Sequence, residues 1–263
     1  MRRFIGVSWL TAVYAFFYIP LLTLIVYSFN SARFTTVWKG FTLDWYVRLF
    51  ENRQLLDAFF NSITVAVVSS IIATVIGTLG AFAVNRYRFA GRKVFFGLIH
   101  SVMMSPDIVM GISLLMLFVL MGVETGFLTL LLAHVTFCLP FVIVTVHARI
   151  SGFDPAVVDA ARDLGAGEVA TFFKIILPMI LPAVLAGWLL SFTLSLDDVI
   201  ISFFVTGPEF EILPLKIYSM VRLGVKPEVN ALCSILFLIT LVAVGLAHYL
   251  VTKDGRQWAV GSR

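Results

Sequence analysis

Residues 154–178 read DPAVVDAARDLGAGEVATFFKIILP, the longest polar stretch with helical order in a chain otherwise dominated by apolar runs. Asp154 can cap a helix, and Pro155 suits the first helical position because its missing N–H has no partner there. Gly165 can adopt a positive φ angle without strain, so it marks the end of this helix. A second short helix fits residues 168–176. The stretch therefore predicts a helix, a tight turn and a second helix at a membrane surface.

The composition identifies an integral membrane protein. Of the 263 residues, 60% are hydrophobic and only 13% are charged, about half the charged fraction of a typical soluble domain. The net charge of +4 comes without a basic patch interleaved with aromatic residues, which argues against nucleic acid as a partner. Cys138 and Cys233 lie inside apolar runs and are predicted to be small buried side chains, and the four histidines lack metal-binding spacing.

Six apolar runs each reach the about 20 residues that a helix needs to cross the hydrocarbon core. They cover residues 7–29, 59–84, 94–121, 127–148, 179–204 and 229–251. The first run follows Arg2 and Arg3 and is too long for a signal peptide, so we expect an uncleaved first helix. No linker or repeat interrupts the chain, and we predict a single transmembrane domain over residues 1–263 with an all-α fold.

Orientation follows from the distribution of basic residues. With the N-terminus inside, twelve of the 19 Lys and Arg residues fall on the inner side. We therefore expect both termini and the 154–178 loop to lie in the cytoplasm, and the family resemblance described below implies that the membrane is the inner membrane of a bacterium. The outer loops are then 30–58, whose Trp38, Trp45 and Tyr46 are predicted interfacial anchors, and 206–229, which predicts a short half-buried helix.

Three acidic residues fall inside apolar runs, where ionisable groups are costly and are candidates for function. Asp107 follows Ser105 and Pro106, which break the third run and can begin a half-helix, and Asp197 and Asp198 lie toward the outer end of the fifth run. One interpretation is a route for a cation, since carboxylates and aromatic rings both stabilise a desolvated ammonium group. The alternatives for Asp107 are that it caps the half-helix or pairs with a cation elsewhere, and the alternative for the Asp pair is proximity to the outer headgroups. The candidate pathway residues are Asp107, Asp197, Asp198, Trp188 and Tyr218.

Enzymatic chemistry is not predicted. No Lys follows a Gly, so the chain has no nucleotide-binding loop of the Gly-Lys type and cannot supply its own ATPase. His134 with Asp107 is a loose candidate for an intramembrane catalytic pair, and His134 is more simply explained as a histidine hydrogen-bonded inside the helix bundle. We expect no metal or cofactor on this chain.

The loop resembles the EAA loop of ABC-transporter permeases. That pattern is EAA, three residues, G, nine residues, then I-x-L-P. Every fixed position matches except the first, where Asp159 stands in place of Glu. The matching residues are Asp159, Ala160, Ala161, Gly165, Ile175, Leu177 and Pro178. The resemblance implies that they dock into a groove on an ATPase subunit. A hairpin resting on lipid headgroups is the alternative, and four acids against two bases in the loop disfavour it beside an anionic leaflet.

Almost the whole chain is similar to the PotC-type permease family of spermidine/putrescine ABC importers. The similar stretches include RYRFAGRK (86–93), MMSPDIVMGISLL (103–115), AHVTFCLPFVIVTVHARI (133–150) and LSFTLSLDDVIISFFVTGP (190–208). The resemblance implies a type I (MetI-like) permease fold and pairing with a second, PotB-like permease. It also implies two cytoplasmic ATPase subunits, which would hold ATP and Mg, and a periplasmic polyamine-binding protein. The competing predictions are an ABC permease for another small solute and an ATP-independent secondary transporter.

Overall fold

The computed structural model describes residues 2–32, 37–87, 89–154, 156–222 and 227–242. The regular structure of these residues is helical, apart from one isolated bridge between Asn30 and Phe41. The helices are α1 (Arg2–Tyr27), α2 (Asp44–Glu51), α3 (Arg53–Arg86), α4 (Arg92–Met103), α5 (Asp107–Leu120), α6 (Phe127–Ile150), α7 (Ala156–Asp163), α8 (Glu168–Thr171), α9 (Leu177–Asp197), α10 (Ile200–Val205), α11 (Leu213–Arg222) and α12 (Pro227–Val242). The predicted all-α fold is therefore confirmed, and α11 is the short half-buried helix expected in the second outer loop.

Four helices of the described chain are long and apolar enough to cross a membrane: Gly6–Tyr27, Arg53–Arg86, Phe127–Ile150 and Glu168–Asp197. The α4–α5 pair gives a fifth crossing if it is one broken span. The sixth predicted run begins in α12, and its remainder from residue 243 lies outside the described residues. The count of six spans thus stays a prediction.

The third apolar run is broken where Pro106 interrupts it. The axes of α4 and α5 meet at 108°, and Pro106 precedes α5 with an extended backbone (ψ 133°). Proline removes a backbone N–H and disfavours helical geometry at the residue before it, so helical geometry is disfavoured at Ser105. The break predicted here is confirmed, and Asp107 becomes the first residue of α5.

The fifth apolar run differs from its prediction at both ends. Residues 168–176 are not a separate surface helix, because α8 continues through a π-helical turn (Phe172–Ile176) into α9. In an α-helix the ring of Pro178 would meet the carbonyl four residues earlier, and the wider π turn relieves that clash. At the other end, α9 stops at Asp197 and a new helix, α10, begins at Ile200. The prediction of one continuous helix over 179–204 was therefore wrong.

The chain divides into two compact units. One comprises Asp57–Lys216 and holds two apolar clusters. One cluster is centred on Val142 and Val146, where α6 packs on α9, and the other is centred on Leu130 and Ile201, where α6, α10 and α5 meet. The prediction of a single permease domain stays a prediction.

The other unit comprises Met1–Leu56 and Ile217–Arg263, and Asn30 organises its first loop. The buried Asn30 amide donates to Val37 O, its Oδ1 accepts from two backbone N–H groups, and its carbonyl accepts from the Trp45 indole at 2.7 Å. Trp45 is consequently buried, so its predicted role as an interfacial anchor was wrong, whereas Trp38 is exposed.

Candidate coupling surface and cation pathway

The 154–178 loop is held in shape by backbone geometry at both ends of α7. Asp154 Oδ1 accepts the Ala156 N–H at 2.9 Å, which is the predicted cap. At the other end Gly165 has φ +81°, its N–H bonds Arg162 O at 2.8 Å, and the Ala166 N–H bonds Ala161 O at 3.0 Å. This pair of bonds is the Schellman motif, which requires a left-handed residue at the glycine position. The predicted helix and tight turn are confirmed.

A cluster of charges ties α7 and α8 to the end of α3. Glu168 Oε1 accepts from Arg86 at 3.2 Å and from Arg162 at 3.4 Å, while Glu168 Oε2 accepts from the Tyr87 hydroxyl at 3.3 Å. Arg162 also approaches the Asp159 carboxylate at 4.0 Å. Sequence reasoning counted Glu168 only as one of four acids. Its partners on α3 lie more than 80 residues away, and no local pattern connects them.

The predicted coupling residues divide between surface and core. Asp159, Ala160, Gly165 and Pro178 are exposed, Ile175 and Leu177 are half-buried, and Ala161 is buried. A groove of about 410 Å³ runs beneath α7. Its lining joins the end of α3 to the loop and includes Phe82, Arg86, Phe153, Val158, Asp159 and Glu168.

Three apolar side chains of the loop that sequence reasoning did not select point into open space. Leu164 is 88% exposed, Val169 is 73% exposed and Phe173 is 59% exposed. They flank the Gly165 turn within an otherwise polar segment. Large apolar side chains exposed on a polar segment are candidates for an interaction site, so these three residues, called the apolar patch below, are candidates to extend the predicted coupling surface.

Asp107 and Asp197 stand at separate helix breaks. Asp107 begins α5 and Asp197 ends α9, and both side chains are exposed. The Asp107 carboxylate lies within electrostatic range of Asp197, as does Asp198. Pro106, not Asp107, is the capping residue of α5, and no side-chain cap bond is made, so the alternative of capping by Asp107 was wrong.

Asp198 differs from its neighbour because it is buried. Its carboxylate accepts the N–H groups of Ile201 at 3.2 Å and Ser202 at 2.8 Å and the Ser202 hydroxyl at 2.7 Å. These bonds cap α10 and stabilise the break that follows α9. Asp198 is therefore held inside the bundle, and the alternative of proximity to the outer headgroups stays a prediction for the Asp pair.

His134 lies behind this break in the interior of the bundle. Its Nδ1 is 2.6 Å from Ser195 Oγ and its Nε2 is 2.9 Å from Ser202 Oγ, while Ser195 Oγ lies 3.0 Å from Ser69 Oγ. Asp198 Oδ2 is 3.5 Å from His134 Nε2. The prediction of a hydrogen-bonded histidine inside the bundle is confirmed. Within the described residues, no group of three His, Cys, Asp or Glu side chains is arranged to hold a metal.

The two aromatic candidates, Trp188 and Tyr218, belong to different compact units of the chain. Trp188 is half-buried against Phe192, with ring centroids 6.2 Å apart. It precedes Asp197 by nine residues, or roughly 14 Å along α9. Tyr218 belongs to the other compact unit, where the Arg222 guanidinium lies 5.2 Å from the centre of its ring.

The sequence is similar to a known family of membrane transport proteins. The family of binding-protein-dependent transport system inner membrane components matches residues 73–253. The chain belongs to this permease family. Among its relatives is the spermidine/putrescine transport system permease protein PotC of Escherichia coli K12, 56% identical over 98% of both chains. PotC of Haemophilus influenzae is 51% identical over 96% of this chain and 98% of its own, and the putrescine permease PotI of E. coli K12 is 40% identical over 93% and 89%.

Solved structures agree with the permease fold. A bacterial ABC transporter that imports alginate superposes with a TM-score of 0.74 over 95% of each chain at 17% identity. The MetNI methionine ABC transporter superposes with a TM-score of 0.60 over 76% of this permease and 95% of that chain at 15% identity. The predicted ABC importer permease fold is thereby confirmed. The chain is an inner membrane permease subunit and not an enzyme.

Proposed function

We propose that this permease forms half of the translocation pathway of an ATP-driven polyamine importer. The observation that carries the substrate class is the pair of exposed carboxylates Asp107 and Asp197, which stand at two helix breaks within electrostatic range of each other. The similarity to spermidine/putrescine permeases supports the same class independently. The partners are a PotB-like second permease, two cytoplasmic ATPase subunits and a periplasmic polyamine-binding protein. Both termini lie in the cytoplasm.

The pathway acids act through charge. A polyamine carries several ammonium groups, and each needs a compensating anion when water is stripped from it in the membrane. Asp107 and Asp197 supply two such anions at exposed positions. The buried Asp198 instead stabilises the helix break through its hydrogen bonds to α10. Trp188 and Tyr218 are proposed to add aromatic contacts to the alkyl and ammonium groups of the substrate.

The coupling surface is proposed to consist of the loop residues Asp159, Ala160 and Gly165 together with the apolar patch of Leu164, Val169 and Phe173. Burying this patch against an ATPase would remove apolar surface from water at about 25 cal/mol per Å². ATP and Mg would bind the ATPase subunits, and this chain would bind neither. Closure of the ATPases would move α7 and so switch the bundle between outward and inward openings.

The test is substrate stimulation of ATP hydrolysis by the purified four-subunit complex. We expect the ATPase to co-purify with this permease and to accelerate when the binding protein is loaded with spermidine or putrescine. The test variant is Leu164→Asp, which places a charge in the apolar patch and should release the ATPase. Stimulation by a different solute would identify another ABC permease, and uptake that persists without ATP would identify a secondary transporter.

A further inference from the structure

We propose that His134 is a positioning residue for cation passage, because it holds the α9–α10 break that sets the position of Asp197. This inference rests on the proposed pathway role of those two acids. His134 itself is only 1% exposed and cannot meet the substrate. It would act through the two serines that it contacts.

The imidazole joins the two sides of the helix break. Ser195 lies on α9, two residues before Asp197, and Ser202 lies on α10, four residues after Asp198. His134 reaches both from α6, with Nδ1 at 2.6 Å from the first hydroxyl and Nε2 at 2.9 Å from the second. One side chain therefore fixes the residues that bracket the acid pair.

The number of hydrogen atoms on each group decides which atom donates and which accepts in this network. Ser202 Oγ donates to Asp198 Oδ2 at 2.7 Å, so it accepts from the Nε2–H of His134. With the Nε2 hydrogen given to Ser202, Nδ1 accepts the Ser195 hydroxyl, and Ser195 Oγ accepts from Ser69 on α3 at 3.0 Å, which is shorter than the 3.4 Å from Ser69 Oγ to Ala66 O. The 3.5 Å from Nε2 to the Asp198 carboxylate is too long for a direct bond, so Ser202 bridges them. Leaving such buried groups unsatisfied is costly, and this gives the break a defined geometry.

The same break also sets the position of Asp107. Short helix α10 packs directly on α5, and a Cβ added at Gly111 would lie 2.7 Å from Phe204 Cδ2 and 3.3 Å from Ile201 Cα. Such close packing leaves α10 and α5 little freedom to slide past each other. Because Asp107 begins α5, the orientation of α10 is transmitted to it. His134 is thus connected by packing and hydrogen bonds to both acids.

The experiment compares His134→Leu, which removes both hydrogen bonds, with His134→Gln, whose amide can donate to Ser202 and accept from Ser195. The measurement is polyamine uptake per ATP hydrolysed by the full complex in proteoliposomes. We expect His134→Leu to lower this ratio by roughly tenfold, since small misplacements of binding groups carry losses of that size. We expect His134→Gln to restore most of it. His100→Leu, an exposed histidine on α4, is the matched control and should have no effect.

A double-mutant cycle between His134 and Asp197 distinguishes a positioning role of His134 from a general structural role. If His134 acts through Asp197, adding His134→Leu to Asp197→Asn should cause little further loss, because the group being positioned is already gone. Fold-losses that multiply, or a His134→Leu permease with unchanged uptake, would overturn the inference. Should His134→Leu fail to assemble, Ser202→Ala breaks the same bridge and takes its place in the cycle. Unchanged uptake with Asp107→Asn and Asp197→Asn would instead refute the pathway itself.

Discussion

Arg86 Nη2 lies 3.2 Å from Glu168 Oε1, and this ion pair joins the last residue of α3 to the first residue of α8. Arg162 of α7 donates to the same oxygen. Because Glu168 is largely exposed, the pair contributes roughly 0–1 kcal/mol to stability, too little to explain the convergence of three elements. We infer that it serves to link the motion of the coupling loop to a membrane helix.

Glu168→Gln is predicted to separate ATP hydrolysis from transport. The neutral amide weakens both arginine contacts, so α7 can move without carrying the end of α3 with it. We expect polyamine uptake per ATP hydrolysed to fall severalfold, while the melting temperature of the complex changes little. Lys174→Gln, an exposed charge on the same loop, serves as the control. An unchanged ratio in Glu168→Gln would show that the cluster does not transmit motion.

Gly165→Ala is predicted to weaken the coupling loop through backbone strain alone. The φ of +81° disfavours a residue with a Cβ by about 1 kcal/mol, although a Cβ there would meet no atom within 4 Å. Gly167→Ala is a close match, since Gly167 has φ −70° and is equally open, and it should be silent. The measurement is binding of the ATPase subunit to the permease in detergent. Equal effects of the two substitutions would refute the role assigned to the Schellman turn.

Asp107→Asn and Asp197→Asn are each predicted to lower spermidine uptake by tenfold or more, on the order of 1.4 kcal/mol for each lost charge contact. ATPase assembly should be normal because both side chains are exposed and distant from the loop. Asp44→Asn is the control, since Asp44 is also an exposed acid in the first turn of a helix. Wild-type uptake rates in both variants would leave the acid pair without a transport role.

Gly77→Ala is predicted to destabilise the bundle by about 1–3 kcal/mol through overpacking. A Cβ there would lie 2.7 Å from Cγ1 of Val142, which is fully buried and would also lie 3.5 Å from a Cβ added at Gly187. Gly80→Ala, one turn later on the same helix, would meet Ile143 only at 3.8 Å and should be tolerated. Thermal melting of the detergent-solubilised complex distinguishes the two. Equal melting temperatures would mean that α3 and α6 separate easily at this point.

Local sequence signals predicted most of the helices because they depend on neighbouring residues. Pro106 predicted the break before α5, and Asp154 and Gly165 predicted the ends of α7. The π turn before Pro178 was not predicted. A proline at the start of an apolar run indicates a new helix, but it also fits a continuous helix with one widened turn. The end of α9 at Asp197 was missed because no proline or glycine marks it.

The candidate site was only partly predictable, since its geometry depends on long-range contacts. Three acids could be selected as costly inside apolar runs, but the adjacent Asp197 and Asp198 have opposite environments that composition cannot distinguish. His134 was expected to be hydrogen-bonded, and its partners on α9 and α10 lie more than 60 residues away. The exposed side chain of Leu164 became evident only when the turn that presents it was known.

The most direct test of the account is uptake of radiolabelled spermidine into proteoliposomes that contain this permease, its PotB-like partner and the ATPase. The binding protein is supplied outside and ATP inside. The account predicts uptake that requires ATP, the binding protein and an intact coupling loop, and that falls when Asp107 and Asp197 are both neutralised. Spermidine uptake that proceeds equally well without ATP, or that fails in the complete ATP-loaded system, would contradict it.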